Sequence, residues 1–395
     1  MDDNYKYIHN ICSNCSSRET VVLNEVDSES SILLTSDVQC LNNIHAKRLL
    51  CEHCGCISVR FSKDYSLDDF YKTKYITDEK VQDHFIISEK KLKSKHKYLQ
   101  KKLFKNGLLN ISKGTILEIA CGKGDLIRQF SKDNTEWECW AIDPSINEKS
   151  FIKESEIRYI KDIFKHEYFE KNYFDIIIAH GLLNRAPVLD TLRQIGLCAS
   201  KGALVSLEVM LLENSHCIPY IWDHTYMFTM RVFQYYLKSN GFEILEIENM
   251  GPSYHFMCKY SALEEEKYFI PGKLDYRLLE DTKSQYQQHV TWWESAFDTI
   301  NIVLKKNEQI CLFGAGMYSA ILMSKLDNKN AVKYILDELK SGSFLNSIPI
   351  IDISDAKTIC SNIVLLVRPE YLKLIINKLM ENDINFTVIN PEKVR

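Results

Sequence analysis

Short apolar runs alternate with amphipathic stretches through the middle of this 395-residue chain. Between about residues 109 and 260, the runs TILEIA, EWECWAID, FDIIIAH, ALVSLEV and FEILEIEN are separated by stretches of helical periodicity such as DLIRQFS and VLDTLRQIGLCAS. This alternation predicts a largely parallel sheet covered by helices. The expected fold class is therefore α/β.

A second alternation of the same kind begins at QICLFGAG and continues through VKYILDE, NSIPIID, NIVLLV and NFTVIN. A long polar stretch with helical character separates the two alternations. The chain therefore divides into five predicted segments: a cysteine-rich module over 1–65, a helical connector over 66–108, an α/β domain over 109–260, a helical linker over 261–305 and a second, Rossmann-like α/β domain over 306–395.

Composition and charge restrict the class of protein and its expected partners and location. With 45% hydrophobic and 26% charged residues, the chain has the composition of a globular protein. A formal net charge of -4 gives no global attraction to nucleic acid, and the Lys-rich segment 90–105 is interpreted as a solvated helix face. Because no apolar run reaches about 18 residues and the N-terminus MDDNYKYIHN is polar, we expect no membrane span, no signal peptide and a cytoplasmic location.

Thirteen cysteines in a cytoplasmic chain are expected to be reduced. Most stand singly in apolar runs and are interpreted as small core residues. Two pairs differ, because Cys12 with Cys15 and Cys51 with Cys54 each have the C-x2-C spacing of a zinc knuckle. Four thiolates leave no open position for water, so the prediction is one structural zinc ion. His53 or Cys56, beside the second pair, is an alternative ligand.

The stretch ILEIACGKGDL is the main functional signal. It predicts a strand that ends at Glu118 and turns through Gly122 and Gly124 into a helix, which lets the backbone approach a ligand closely. The third glycine of the dinucleotide fingerprint is absent, since the chain has Ile127 there. Asp143 ends the next apolar run, where a carboxylate can accept both hydroxyls of an adenosine ribose.

Carboxylates surround this predicted turn. Asp162 follows the third apolar run, where it could bind an adenine amino group, and Glu118 precedes the glycines. An acidic side chain at that place suits a ligand with positive charge better than a phosphate. An adenosine that carries a sulfonium and an ammonium group fits this pattern.

The ordered set ILEIACGKG, AIDPS, KDIF, FDIIIAHGLLNRAP and ALVSLEV resembles the class I S-adenosylmethionine-dependent methyltransferases over about residues 110–250. Ala120 stands where that family more often has its first glycine. More narrowly, a Cys-x2-Cys module before such a core and a second Rossmann-like domain after it resemble the zinc-binding sugar C-methyltransferases. The resemblance implies S-adenosylmethionine as cofactor and a small sugar or nucleotide-sugar substrate.

The same resemblance implies a set of site residues. The subfamily's Tyr-x-Glu-His block corresponds here to Ile221, Trp222, Asp223 and His224, so the histidine is kept, the glutamate is an aspartate and the tyrosine is lost. The implied catalytic residues are His224 as general base, Asp223 and Tyr226 as orienting groups, Tyr75 over the pocket, and His180. The implied cofactor-binding residues are Glu118, Ala120, Gly122, Gly124, Asp143, Asp162 and His180.

The absence of the family's tyrosine affects which acceptor atom, carbon or oxygen, the sequence predicts. Abstraction of a proton from carbon beside a ketone needs a base together with a group that stabilises the enolate, whereas a hydroxyl acceptor needs only a well-placed base. The sequence therefore favours transfer to a sugar oxygen over transfer to carbon.

Two other functions remain open at this point. CLFGAGMYS carries Gly314 and Gly316, and Asp337 follows at the spacing of a dinucleotide site, which would suit a dehydrogenase. The family resemblance gives this domain a part in substrate binding instead. The third hypothesis is a zinc-bearing binding protein whose methyltransferase core is inactive.

Overall fold

A computed structural model describes the following residues: 9–27, 45–62, 66–73, 85–88, 91–94, 97, 101–102, 112–146, 156–251, 253–261, 273–306, 309–326, 328–338, 340–345, 347–356, 363–367 and 369–388. The chain forms two compact units, the first comprising Met1–Glu25, Ala46–Ile218 and Asp223–Lys283, and the second comprising Val26–His45, Pro219–Trp222 and Ser284–Arg395. The predicted cysteine module and the first α/β domain thus lie together in the first unit. Within the described ranges, no helix is both long enough and apolar enough to cross a membrane.

The strands are β1 (Thr20–Asp27), β2 (His45–Cys51), β3 (Ile57–Phe61), β4 (Phe85–Ser88), β5 (Lys91–Ser94), β6 (Thr115–Ile119), β7 (Glu138–Ile142), β8 (Ile157–Ile160), β9 (Phe174–His180), β10 (Ala199–Val209), β11 (Tyr226–Met227), β12 (Phe242–Asn249), β13 (Tyr254–Tyr260), β14 (Ile310–Phe313), β15 (Val332–Leu336), β16 (Phe344–Leu345), β17 (Ile348–Ile351), β18 (Ile363–Leu365) and β19 (Phe386–Val388). The α-helices are α1 (Leu67–Thr73), α2 (Asp125–Asp133), α3 (Val188–Cys198), α4 (Met230–Ser239), α5 (Tyr276–Lys306), α6 (Met317–Lys325) and α7 (Pro369–Glu381). Short 3-10 helices lie at His166–Tyr168, Ile218–Tyr220, Lys329–Ala331 and Ile353–Asp355.

The first unit is built on a seven-stranded sheet with the order β12-β13-β10-β9-β6-β7-β8. Strands β8, β7, β6, β9 and β10 are parallel, whereas β13 is antiparallel to both β10 and β12. The chain runs from β6 outward through β7 and β8, then returns to the other side of β6 with β9. This reversal creates a topological switch point at the carboxyl ends of β6 and β9, where open α/β sheets bind their ligands.

The apolar runs form this sheet because both of its faces are covered. Ile177, Ile178 and Ala179 of β9 are fully buried although they point alternately to opposite faces. Ile177 packs in one hydrophobic cluster and Ile178 in another. The predicted α/β class and its Rossmann-like sheet are therefore confirmed.

The cysteine-rich module packs directly on this domain. Cys12, Cys51 and Cys54 belong to the same hydrophobic cluster as residues of the sheet and of α3 and α4. The Asn14 side chain accepts a hydrogen bond of 3.0 Å from the backbone N–H of Leu189 at the start of α3. In sequence the module looks independent, yet it shares its core with the sheet domain.

The second unit contains a six-stranded sheet with the order β16-β17-β15-β14-β18-β19, parallel except for β16. Its strands match the second predicted alternation, with the switch between β14 and β18. The expectation of reduced cysteines fails at Cys311 on β14, which is disulfide-bonded. The free described cysteines include the four of the predicted knuckles.

The predicted helical connector is wrong over part of its length. Phe85–Ser88 and Lys91–Ser94 form an antiparallel pair of strands where we expected helix. The sequence FIIS is rich in the β-branched and aromatic residues that favour strands, and KLKS is the partner strand with which it pairs.

Candidate active site

The loop between β6 and α2 forms the predicted glycine turn. Gly122 and Gly124 adopt positive φ angles of 55° and 72°, which a residue without Cβ reaches at no steric cost. Ala120 also has a positive φ, at 55°, and its backbone N–H donates to the carbonyl of Ile142 at 2.9 Å. A left-handed conformation at this position explains why glycine is the commoner choice, and it makes Ala120 a strained point of the loop.

Glu118 lies at the end of β6, buried beneath this loop. Its carboxylate accepts a hydrogen bond of 2.9 Å from the backbone N–H of Ile127 in the first turn of α2. Burial raises the pKa of Glu118 to about 8, and the nearby carboxylates of Asp125 and Asp143 act in the same direction. The ionised form of Glu118 would therefore be stabilised by a positively charged ligand in the loop.

Asp143 follows β7 and is 8% exposed. One of its carboxylate oxygens accepts from the N–H of Gly122 at 2.9 Å, and the other accepts from the N–H and hydroxyl of Ser145 at 2.7 and 2.5 Å. The carboxylate thus ties the glycine turn to the next strand of the sheet. Each oxygen retains acceptor capacity for a ribose hydroxyl.

Asp162 lies after β8, at the edge of this region. The Lys72 ammonium pairs with it at 2.7 Å, Tyr168 donates its hydroxyl to the same carboxylate, and the backbone N–H of Ile163 donates at 2.8 Å. The Lys72 ammonium and these donors hold the pKa of Asp162 well below its usual range. The predicted role of Asp162 toward adenine stays a prediction, with its carboxylate held by neighbouring groups.

Asp223 occupies a fully buried position after the 3-10 helix that follows β10. Its Oδ2 accepts two hydrogen bonds, from the Tyr71 hydroxyl at 2.6 Å and from Nε of Arg185 at 2.7 Å. Burial alone would raise the pKa of Asp223, but the Arg185 guanidinium, His224 and the Tyr71 hydroxyl together outweigh burial and lower that pKa. Arg185 also donates to the carbonyl of Gly181, the residue after β9, which links this ion pair to the carboxyl edge of the sheet.

His224 is 2% exposed, and neither of its ring nitrogens has a hydrogen-bond partner within the described part of the chain. Oδ1 of Asp223 and the hydroxyls of Thr225 and Ser58 are likewise buried without one. Burial lowers the pKa of His224 to about 3, and Arg185 acts in the same direction while Asp223 opposes it. A cluster of buried polar atoms without partners is costly in a folded protein, and it is the arrangement that a polar ligand would complete.

His180 ends β9 and is half-buried. Its Nε2 lies 2.9 Å from the hydroxyl of Ser206 on β10, and the same hydroxyl lies 2.8 Å from Nε2 of His255 on β13. The two imidazole rings meet edge to face with their centroids 5.7 Å apart. His180 is therefore hydrogen-bonded into the sheet through a buried serine.

Two further predicted catalytic residues are Tyr226 and Tyr75. Tyr226 belongs to the small strand β11, where it pairs with Ser58 of β3. Its ring is buried beside Ser13 and the cysteine module, and burial raises its pKa to about 12. Tyr71, rather than Tyr226, donates the hydrogen bond to Asp223. Tyr75 lies outside the described residues.

The four predicted cysteine ligands converge. The sulfur atoms of Cys12, Cys15, Cys51 and Cys54 all lie within 4.8 Å of one another. Cys12 and Cys54 are separated by 3.7 Å between sulfurs, and Cys15 and Cys51 by 3.6 Å. Tetrahedral zinc with Zn–S bonds of about 2.3 Å requires sulfur separations of about 3.8 Å. The arrangement can therefore hold a zinc ion, while the thiol of Cys56 donates to the carbonyl of Ile57 instead.

The second glycine loop, in the second unit, joins β14 to α6. Gly314 has a φ of 87°, and a Cβ added at Gly314 or Gly316 would meet no atom within 4 Å. Asp337 accepts from the N–H of Ala315 at 2.8 Å, and Lys340 donates to the Ala315 carbonyl at 2.7 Å. The predicted strand–glycine–helix element is present, and its use for a nucleotide stays a prediction.

Sequence reasoning missed Tyr71 and Arg185. Tyr71 is separated from Asp223 by 152 positions along the chain, and Arg185 by 38, so no local pattern connects them. The arginine does stand in the quoted segment HGLLNRAP, next to the carboxyl end of β9. That position at a ligand-binding edge is the signal by which it could have been found.

Comparison with known proteins agrees with the geometry of the first unit. Residues 89–247 match the family model described as a methyltransferase domain. No curated protein sequence matches the chain.

Structural matches include the CurJ carbon methyltransferase, at 17% identity and a TM-score of 0.35 over 42% of this chain and 54% of that one. A SAM dependent methyltransferase from Aquifex aeolicus matches at 16% identity and a TM-score of 0.33 over 42% of this chain and 97% of that one. An O-methyltransferase family protein from Burkholderia thailandensis matches at 11% identity and a TM-score of 0.36 over 42% of this chain and 57% of that one. Likenesses at these scores support no inference about substrate.

The family match, the strand order and the glycine turn concern the same segment. The chain carries a methyltransferase domain with the class I Rossmann-like fold, and the prediction that it is a methyltransferase enzyme is confirmed.

Proposed function

We propose that this enzyme transfers a methyl group from S-adenosylmethionine to an oxygen atom of a sugar, either nucleotide-linked or part of a cell-surface glycan precursor. The observation that carries the proposal is the cluster of buried, unpartnered polar atoms at Asp223 and His224, connected through Arg185 to the ligand-binding edge of the sheet. The small-sugar class comes from the family resemblance and from the polar character of this cluster.

The donor would be held by the glycine turn and its carboxylates. Asp143 offers acceptor oxygens for the ribose, the positive φ angles of Gly122 and Gly124 keep side chains out of the loop, and Glu118 offers a carboxyl whose ionised form a cationic ligand would favour. The sulfonium of the donor supplies the leaving group, so the protein has to align the reactants and provide for a proton. Alignment alone can contribute about 7 to 11 kcal/mol to lowering the barrier.

The acceptor would complete the buried cluster. Because burial keeps the pKa of His224 near 3, its imidazole is neutral at physiological pH and accepts a hydrogen bond from a hydroxyl without first losing a proton. Tyr71 and Arg185 fix Asp223 through one oxygen and leave Oδ1 available as a second acceptor. Oδ1 of Asp223 and the imidazole of His224, on consecutive residues, are the two acceptors that we propose for hydroxyls of a sugar ring. In this proposal His224 orients the hydroxyl, and its predicted role as general base stays a prediction.

Transfer to carbon is the alternative. Enolate chemistry requires a donor that stabilises a developing oxyanion, and the family's tyrosine is replaced here by Ile221, a fully buried apolar side chain. A neutral imidazole that accepts a hydroxyl hydrogen bond meets the smaller demand of oxygen methylation. This difference favours oxygen as the acceptor atom.

The test is transfer of a ¹³C-labelled methyl group from S-adenosylmethionine onto a panel of nucleotide sugars, with the products examined by NMR. We expect a methyl carbon bonded to oxygen, and a large loss of rate in His224→Gln relative to the exposed control His9→Gln. A methyl carbon bonded to ring carbon would establish the alternative. Absence of transfer to every sugar, together with transfer to another class of hydroxyl compound, would refute the sugar assignment.

We further propose one structural zinc ion on the four converging cysteines. Backbone N–H groups of Asn14 and Cys54 point at the sulfurs of Cys12 and Cys51 at 3.4 and 3.5 Å, an arrangement that stabilises thiolates. With every ligand a cysteine, the ion would have no open position for chemistry. Its expected role is to hold the module against α3 and α4 of the methyltransferase domain.

A further inference from the structure

Three polar side chains in the sheet have no part in the methyl transfer described above. Two of them are Ser206, which is fully buried in β10, and His255, which is 2% exposed in β13. Both therefore lie in the interior of the sheet. They are joined to His180 by hydrogen bonds of 2.9 and 2.8 Å that meet at the serine hydroxyl. Polar groups in the interior of a sheet are rare unless they serve a network.

The hydrogen bonds among His180, Ser206 and His255 restrict where their protons can lie. A serine hydroxyl has one proton, so it donates to one imidazole and accepts from the other. With both rings neutral, one Nε2 must therefore carry a proton and the other must not. Two arrangements satisfy this condition, and they differ in the tautomer of both rings. A proton that enters at Nδ1 of one ring can therefore be passed through the serine hydroxyl to Nε2 of the other ring.

We propose that His180, Ser206 and His255 form a proton wire that receives the proton released by the acceptor hydroxyl and stores it on His255. This proposal rests on the proposed methyl transfer. As the acceptor oxygen bonds to the methyl carbon, its O–H bond breaks and the proton bonds to Nδ1 of His180. The Nε2 proton of His180 passes to Ser206, and the hydroxyl proton of Ser206 passes to Nε2 of His255.

The wire leaves His180 neutral and His255 cationic, and the sheet offers a counter-charge for that cation. Glu208 lies directly opposite His255 in the antiparallel pair and opposite His180 in the parallel pair, so the three side chains share one face of the sheet. Glu208 is 7% exposed and accepts a hydrogen bond of 2.6 Å from the Ser253 hydroxyl. A buried cation is tolerated where such a carboxylate is at hand.

The wire also provides a place for the released proton, which the acceptor site itself lacks. His224 has a pKa of about 3 in its buried position, which suits hydrogen bonding but makes it a poor place to keep a proton at neutral pH. His180 reaches the same edge of the sheet, next to Gly181, whose carbonyl holds Arg185. After product leaves, the proton returns along the wire to Nδ1 of His180 and passes from there to water, which resets the enzyme.

The first test needs no methyl transfer. The full chain, with its 11 histidines ring-labelled with ¹⁵N and with S-adenosylhomocysteine present, is examined by NMR, and signals are assigned with His180→Gln and His255→Gln. We expect one of the two Nε2 atoms to carry a proton and the other to be bare. Ser206→Ala should change both signals, whereas Ser131→Ala, which removes another buried serine hydroxyl, should change neither. Two protonated or two bare Nε2 atoms in wild type would overturn the wire.

The second test uses an acceptor found in the methyl-transfer panel. Ser206→Ala should lower kcat at least about tenfold while KM for S-adenosylmethionine stays within about twofold, and Ser206→Thr should restore kcat because it keeps the hydroxyl. An unchanged kcat in Ser206→Ala would overturn the wire and leave the methyltransferase assignment intact. Failure of the panel itself would concern only the proposed substrate, since the NMR test decides the wire independently.

Discussion

Replacement of Glu118 by glutamine should make the first unit less sensitive to alkaline pH. The pKa of Glu118 is raised by burial from its ordinary value of 4.5 to about 8. Below pH 4.5 the carboxyl is protonated in the folded and the unfolded state, and its contribution to stability is fully present. As the pH rises from 4.5 toward 8 the unfolded state ionises first, so stability falls, and the fall ends above pH 8.

The size of this effect follows from the linkage between the two pKa values. At about 1.4 kcal/mol per pH unit, an ionised Glu118 costs the folded state about 5 kcal/mol above pH 8. Between pH 6 and pH 8, wild type should lose about 2 kcal/mol of unfolding free energy through this residue alone. The glutamine side chain of the variant can still accept the Ile127 hydrogen bond but does not ionise. The pH slope, rather than the absolute stability, is therefore the quantity to compare.

Hydrogen exchange by mass spectrometry on peptides from β6 and α2 suits this measurement, because a single unfolding transition is not expected for a chain of two units. Glu136→Gln is the matched control, since it removes the same charge from an exposed position of the same unit. The stability difference between Glu118→Gln and wild type should grow by about 2 kcal/mol from pH 6 to pH 8. An equal slope in the variant, the control and wild type would refute the reasoning.

Two further predictions concern the other parts of the first unit. Cys51→Ser should lose the zinc ion, measured by elemental analysis, and should also lose protection from hydrogen exchange at the start of α3, because Asn14 joins the module to Leu189; metal-free wild type with full protection would contradict this. Because the pKa of His224 is lowered from 6.5 to about 3, wild type should lose stability as the pH falls below 6.5, by about 2 kcal/mol between pH 6.5 and 4.5, relative to His224→Gln. Hydrogen exchange of residues 226–239 at the two pH values checks this, and parallel curves would contradict it.

The sheet was predictable because its strands are buried on both faces and therefore appear as continuous apolar runs. Ile177 and Ile178 are one such case, and the alternation with helices then determined the α/β class. The glycine turn was predictable because the positive φ angles at Gly122 and Gly124 restrict the residue type. The cysteine cluster followed from ligand spacing. In each case the structural requirement acts on neighbouring positions of the chain.

The residues that sequence reasoning missed are joined only by tertiary contacts. Tyr71 meets Asp223 across 152 positions, and Ser206 meets His255 across 49. Tyr226 was assigned an orienting role because it lies close to His224 in sequence, but pairing in β11 places its ring beside the cysteine module. The strand pair at 85–94 was missed because helix and strand patterns are hard to distinguish over four residues.

Calorimetry with S-adenosylmethionine tests the central claim most directly. Wild type and the control Asp133→Ala, which removes an exposed carboxylate, should bind the cofactor, whereas Asp143→Ala should bind it at least about tenfold more weakly, since hydrogen bonds to a charged group contribute about 1.5 to 3 kcal/mol. Circular dichroism of the variant serves to verify its fold. Undiminished binding by Asp143→Ala, or binding of a nicotinamide dinucleotide in place of S-adenosylmethionine, would contradict the account.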